Sequence, residues 1–206
     1  MLNLRRRIFD EKGQCGVQSV RGVTDAGFAL GTAISRVVCS HLLVRPWITS
    51  DAFRFLKKQV RPGMRVFEWG SGMSTLWYDQ QGFEVHAVED NAQWADIVRK
   101  KLRRGSLYHL SGQDYVQKIG AFEKDYFDII TVDGRHRLAC YRQLLERRRP
   151  GLIAIIDNTD KDRHGGDLLE VDRDLDKLPD ARVFRFPGYA AGSFFAQETS
   201  IVVFEK

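Results

Sequence analysis

Several side chains suited to holding a ligand or moving a proton stand at the ends of apolar runs in this chain. The first run, Val66-Phe67-Glu68-Trp69, passes into Gly70-Ser71-Gly72-Met73-Ser74-Thr75. Glycines after a buried strand let the backbone approach a ligand and turn into a helix whose first N–H groups are free. A dinucleotide fingerprint asks for glycine at the positions of Gly70, Gly72 and Thr75, and the third is missing. Glu68 would repel a pyrophosphate and attract a cationic ligand, such as one carrying an ammonium and a sulfonium.

Glu89 follows 19 residues after Gly70. At a strand end, a carboxylate there can accept both hydroxyls of a ribose, or, with Asp90 and Asn91, cap a helix. Ser111-Gly112-Gln113-Asp114 closes the next run, and Asp114 can take an adenine amino group or cap the helix behind it. Val132-Asp133-Gly134 and Ile156-Asp157-Asn158 end two more runs. Asp133, Asp157 and Asn158 offer hard oxygen ligands suited to Mg²⁺, which would hold a substrate hydroxyl as its oxyanion. Without a metal, Asp133 orients an ammonium and Asp157-Asn158 forms a turn. Histidine as a residue type can take up a proton near neutral pH, so His136 is a candidate general base. Arg135 and Arg137 face solvent, or one forks onto an acidic substrate group.

These turns must be brought to one edge. Strand patterns over 64–69, 83–88, 107–110, 126–132 and 152–156 alternate with helical patterns over 51–60, 74–81, 91–104, 113–119 and 138–148. Near-continuous apolar runs fit parallel strands buried on both faces. The final pair, 181–186 and 199–204, is joined by a glycine-rich stretch too short for a helical crossover, so it is expected antiparallel. The expectation is an α/β fold: a Rossmann-like, seven-stranded, mostly parallel sheet with helices on both faces and an antiparallel last strand. Its carboxyl edge would carry every turn named above. The polar stretch after Asn158, with His164-Gly165-Gly166, would shape the acceptor side. Tyr189 and Phe194, in the last glycine-rich stretch, contact an apolar acceptor or pack on the fold.

The 206 residues are 43% hydrophobic and 29% charged, which suits one globular domain and excludes collagen-like or disordered chains. Three cysteines are too few and too scattered for a disulfide framework or a zinc module, as for reduced thiols in a cytoplasmic protein. The net charge of +5 is uneven: residues 1–65 hold 12 Lys+Arg against 4 Asp+Glu, and the remainder holds 20 against 23. Basic residues are not interleaved with aromatics, so no nucleic-acid partner is expected. No apolar segment directly follows Arg5-Arg6-Arg7, so no secretory signal is expected. Residues 26–44 read as an amphipathic helix, with Leu30, Ile34, Val37, Val38 and Leu42 at helical spacing. It would cap the domain, pair with a second copy in a homo-oligomer, or touch a membrane surface. Residues 1–48 thus form a basic N-terminal extension, and 49–206 the domain proper.

Over residues 49–206 the pattern resembles the class I, Rossmann-like S-adenosylmethionine-dependent methyltransferases. Glu68-Trp69-Gly70-Ser71-Gly72 matches their first motif, with Ser74 where a third small residue is usual. The resemblance implies that S-adenosylmethionine is held by Glu68, Gly70, Ser71, Gly72, Ser74, Glu89, Gln113, Asp114 and Asp133. Asp133, Asp157 and Asn158 resemble the metal site of the catechol and caffeoyl-coenzyme A type of O-methyltransferase, with His136 where those families commonly carry a lysine. This implies a small-molecule acceptor methylated at oxygen, Asp133 and His136 at the chemical step, and Mg²⁺ as an optional ion. No Asn/Asp-Pro-Pro-aromatic tetrapeptide follows the fourth strand, which argues against methylation of base amino groups. A nicotinamide-dependent oxidoreductase and a non-catalytic cofactor-binding module are the alternatives.

Overall fold

The computed structural model describes residues 4–161 and 167–205; His164-Gly165-Gly166 lies outside the described residues. The chain opens with α1 (Arg5–Ile8), α2 (Val20–Cys39) and α3 (Ser50–Gln59). It then alternates β1 (Arg65–Trp69), α4 (Met73–Gln80), β2 (Glu84–Glu89), α5 (Ala92–Arg99), β3 (Ser106–His109) and α6 (Gly112–Gln117). After a 3₁₀ turn over Lys118–Ala121 come β4 (Ile129–Val132), α7 (Arg137–Leu145), β5 (Ile153–Asp157), α8 (Asp167–Leu175), β6 (Ala181–Tyr189) and β7 (Ala196–Phe204).

The strands form one seven-stranded sheet in the order β3-β2-β1-β4-β5-β7-β6. The first five in that order run parallel, and β7 lies antiparallel between β5 and β6. The expected α/β sheet is therefore the observed one. Its order reverses between β1 and β4, which opens a crevice at their carboxyl ends. Successive residues of each strand feed opposite cores: Phe67, Trp69, Ile130 and Val132 on one side, Val66, Val85, Ile129 and Ile155 on the other. This double burial is why the strands read as unbroken apolar runs. Burying one such side chain, for example Phe67, stabilises the fold by about 2–3 kcal/mol.

Three elements differ from the sequence expectation. The helix expected to reach 104 ends at Arg99, because the Asp79 carboxylate accepts the N–H groups of Arg103, Arg104 and Gly105 at 2.8, 2.9 and 2.8 Å. Those donors are then lost to a continuing helix. β4 begins only at Ile129, since Tyr126 and Phe127 turn into an aromatic cluster with Phe122. The β6–β7 pairing extends to Tyr189 and Ala196, and Pro187 is tolerated because β6 is an edge strand.

The N-terminal segment folds back on this hairpin. Thr32 Oγ1 accepts the Gly192 N–H at 2.9 Å, and Arg36 donates to the Gly192 carbonyl at 3.1 Å. Lys12 pairs with Asp172 at 2.8 Å and with fully buried Glu198 at 2.7 Å. The acidic body thus supplies partners for part of the basic extension. Tyr189 is buried and stacks on Phe194, which answers the two readings of these aromatics in favour of packing. On α2 an apolar face with Val20, Val23, Ile34, Val37 and Val38 stays exposed. Among the described residues no helix is long and apolar enough to cross a membrane.

Candidate active site

The turn from β1 into α4 is held from below and from the side. Gly70 has φ +93°, in the left-handed region that favours glycine, and its N–H donates to the Val88 carbonyl at 2.9 Å. The Gly72 N–H donates to Thr75 Oγ1 at 2.9 Å, so the residue that breaks the dinucleotide fingerprint closes the helix start instead. Glu89, at the end of β2, accepts from the Ser71 N–H and hydroxyl at 3.0 and 3.1 Å through one oxygen. Its other oxygen accepts from the Asp90 and Asn91 N–H groups at 3.1 and 3.0 Å. Asn91, not Glu89, caps α5, accepting the Trp94 N–H at 2.9 Å. Trp94 Nε1 donates to the Ser71 carbonyl at 2.8 Å, so its indole forms a wall over the turn.

Together these residues bound a small cleft lined by Gly70, Ser71, Gly72, Ser74, Trp94, Asp133 and Trp47. Trp47 and Trp94 escaped the sequence reading because an aromatic residue in a connector or a helix carries no spacing signal. Gln113 and Asp114 stay exposed in the first turn of α6, outside this lining, and Asp114 makes no hydrogen bond among the described residues.

Glu68 is fully buried beneath the turn, and neither carboxylate oxygen has a hydrogen-bond partner among the described residues. Burial pushes its pKa up to about 7, the Asp133 charge adds to this, and the nearby Thr75 and Ser74 hydroxyls pull it back. A buried carboxyl with so little around it is costly to ionise unless a cation reaches it.

Asp133 follows β4 directly and faces the cleft. Its side chain keeps 38% exposure, while the protein packed around its base raises its pKa. His136 has φ +52°, a left-handed conformation that costs a non-glycine residue about 1–2 kcal/mol. Its side chain is exposed and lines a second cavity of about 390 Å³ with Gly134, Arg135, Asp167 and Leu168.

Asp157 points away from that cavity. It is almost fully buried and accepts from the Thr199 hydroxyl at 2.5 Å and from Gln197 Nε2 at 3.3 Å, both on β7. Burial, then the Asp133 charge, pushes its pKa up to about 7. Asn158 adopts φ +60° and its backbone carbonyl accepts the Lys161 N–H at 3.0 Å, so the turn expected here is present. Arg137 donates to Asp133 Oδ1 at 3.0 Å and to Asn158 Oδ1 at 3.4 Å. A guanidinium thus stands between two of the three groups expected to ligate Mg²⁺, and the third, the Asp157 carboxylate, is turned to β7. The three residues do not fit a divalent ion. Among the described residues no cluster of three His, Cys, Asp or Glu side chains could hold a metal.

Arg137 is engaged within the chain, whereas Arg135 is exposed, pairs with Asp90 through Nε at 2.7 Å and keeps its terminal nitrogens without a hydrogen bond among the described residues. Lys161, which the sequence reading passed over, lies half-buried in the field of Asp157, Asp160 and Asp133, and burial lowers its pKa.

Comparison with descriptions of known families found no match, and comparison with curated proteins found none. Solved structures do match. An O-methyltransferase from Bacillus cereus, solved in complex with SAH, aligns with TM-score 0.62 at 20% identity, covering 88% of this chain and 91% of that one. The O-methyltransferase TomG from Streptomyces achromogenes, involved in tomaymycin synthesis and solved with SAM, aligns with TM-score 0.62 at 14% identity over 92% of each chain. The C-terminal domain of precorrin-6Y C5,15-methyltransferase from Rhodobacter capsulatus aligns with TM-score 0.55 at 12% identity, covering 77% of this chain and 89% of that one. This chain has the Rossmann-like fold of the class I S-adenosylmethionine-dependent methyltransferases.

Proposed function

We propose that the protein is a methyltransferase that uses S-adenosylmethionine to methylate a small-molecule acceptor at oxygen. The observation that carries this reading is the fully buried Glu68 carboxyl under a glycine turn, with only the Thr75 and Ser74 hydroxyls near it. A cationic ligand offers that group compensation, whereas the pyrophosphate of a nicotinamide cofactor would be repelled. When bound, S-adenosylmethionine supplies a methyl group on a sulfonium, whose transfer leaves a neutral thioether and one acceptor proton to be taken up.

The chain's own groups do the rest. Glu89 takes a ribose hydroxyl in exchange for the Ser71 hydroxyl, while its three backbone donors keep it fixed. Asp133 presents Oδ2, which makes no hydrogen bond among the described residues, to the amino group of the ligand. Trp47 and Trp94 exclude water from the turn. His136 accepts the acceptor's proton at a ring nitrogen in the second cavity. Gln113 and Asp114 reach the adenine only from the rim of α6. The transfer itself depends chiefly on holding donor and acceptor in line. The segment over 1–48 acts as a cap that contributes Trp47.

The test is incubation with methyl-labelled S-adenosylmethionine and a panel of phenols and other hydroxyl acceptors. The reading predicts labelled ether products that fall sharply in His136→Ala. Cofactor binding with no labelled product from any acceptor would favour the non-catalytic module instead.

A further inference from the structure

The fork of Arg137 reaches more acceptors than a surface arginine needs. Its Nε donates to the Gly134 carbonyl at 2.9 Å, and Nη1 donates to the Asp157 carbonyl and, at 3.4 Å, to Asn158 Oδ1. Nη2 donates to the Asp133 carbonyl at 3.4 Å and to Asp133 Oδ1 at 3.0 Å. One planar group therefore ties the ends of β4 and β5 together at the floor of the crevice. Its side chain keeps only 16% exposure. The five N–H groups of a guanidinium are all used, and none remains for a substrate.

We propose that Arg137 takes the place of a divalent cation at the acceptor end of this site, so that the protein works without a metal and Asp133 is aimed by the guanidinium. The inference rests on the methyltransferase reading for what Asp133 is aimed at, but not for the absence of a metal requirement. Three features support it. The fixed positive charge bonds both oxygens that an ion bridging Asp133 and Asn158 would need, and a second positive charge beside it would be repelled in a partly buried site. Asp157 spends its carboxylate on Thr199 and Gln197 and only its backbone carbonyl on the arginine. The arginine holds Asp133, which lines the cleft, by Oδ1 alone and leaves Oδ2 without a hydrogen bond among the described residues. Lysine could not do this, because a point charge lacks the planar fork that spans both strand ends. Arg137 is thus a positioning residue that acts through Asp133.

The experiment titrates Mn²⁺ into the full-length protein, followed by electron paramagnetic resonance, with and without S-adenosylhomocysteine. The proposal expects no saturable site at millimolar Mn²⁺, or binding that persists unchanged in Asp133→Asn and in Asp157→Asn and so lies elsewhere. One Mn²⁺ per chain, lost in either variant, would overturn it. A second arm measures S-adenosylhomocysteine affinity calorimetrically in Arg137→Gln and Arg137→Lys, each checked for folding by circular dichroism. Both are expected to weaken binding by about tenfold or more, with no recovery on adding Mg²⁺. Unchanged affinity in a folded Arg137→Gln protein, or full recovery with Mg²⁺, would also overturn it. If the wild-type protein binds no S-adenosylhomocysteine, the methyltransferase reading fails while the Mn²⁺ arm still decides the metal question.

Discussion

Gly70 and Gly134 meet backbone to backbone where β1 and β4 part: a Cβ on Gly70 would fall 2.9 Å from both Cα and N of Gly134. On its other side, a Cβ on Gly134 would lie 1.9 Å from the Tyr115 hydroxyl. The crevice therefore depends on two glycines from distant parts of the chain. Gly134→Ala is expected to destabilise the protein by about 1–3 kcal/mol in urea denaturation. Tyr115→Phe alone is expected to be nearly neutral, because the buried hydroxyl it removes has no hydrogen-bond partner among the described residues. Combined with Gly134→Ala it should restore part of the loss, leaving the contact with Gly70. Strict additivity of the two changes would contradict the packing described.

Glu89 joins the glycine turn to the end of β2 through four hydrogen bonds. Glu89→Gln keeps the shape but loses the charge that strengthens those bonds. It is expected to weaken S-adenosylhomocysteine binding by about tenfold while costing about 1 kcal/mol of stability or more. Calorimetry and thermal unfolding on the same sample separate the two effects.

The pH dependence follows from Glu68. Its carboxyl has an ordinary value of 4.5 and is pushed up to about 7 in the fold. Between those values the folded protein holds a proton that the unfolded chain has released, so stability falls as pH rises through that window. Asp157, also pushed up to about 7, acts in the same direction. Unfolding free energy should therefore decline from about pH 5 to 7, and Glu68→Gln should flatten part of the slope. A rise in stability over this window would contradict the assigned shifts.

Much of this architecture was legible because the strands are buried on both faces and the glycine turn breaks the first of them. Glu68, Gly70, Ser71, Gly72, Ser74, Asp133 and Glu89 read as one site; Gly70, Ser71, Gly72, Ser74 and Asp133 line one cleft, Glu89 holds the Ser71 amide beside it, and Glu68 lies buried beneath the turn. The carboxylates at the β5 end were harder. Residue type alone gives Asp157 as a metal ligand, but its direction is set by Thr199 and Gln197, forty residues later on an antiparallel strand. Arg137 read as a possible substrate contact, since nothing in the sequence shows that five acceptors surround it. The extension read as a basic segment with an amphipathic helix, but its counter-charges Asp172 and Glu198 lie far along the chain.

That last pairing gives a further prediction. Lys12→Met leaves Glu198 fully buried without its ammonium, although the Thr159 hydroxyl still donates to it at 2.7 Å. A loss of about 2–4 kcal/mol is expected in urea denaturation. A change below about 0.5 kcal/mol would show that the segment rests on the domain as a surface tail.

The most direct test of the central claim is calorimetric titration of the purified protein with S-adenosylhomocysteine and, separately, with NAD⁺, repeated on Glu89→Ala. The account predicts one S-adenosylhomocysteine per chain, no heat with NAD⁺, and loss of binding in the variant. Saturable NAD⁺ binding with no response to S-adenosylhomocysteine would contradict it.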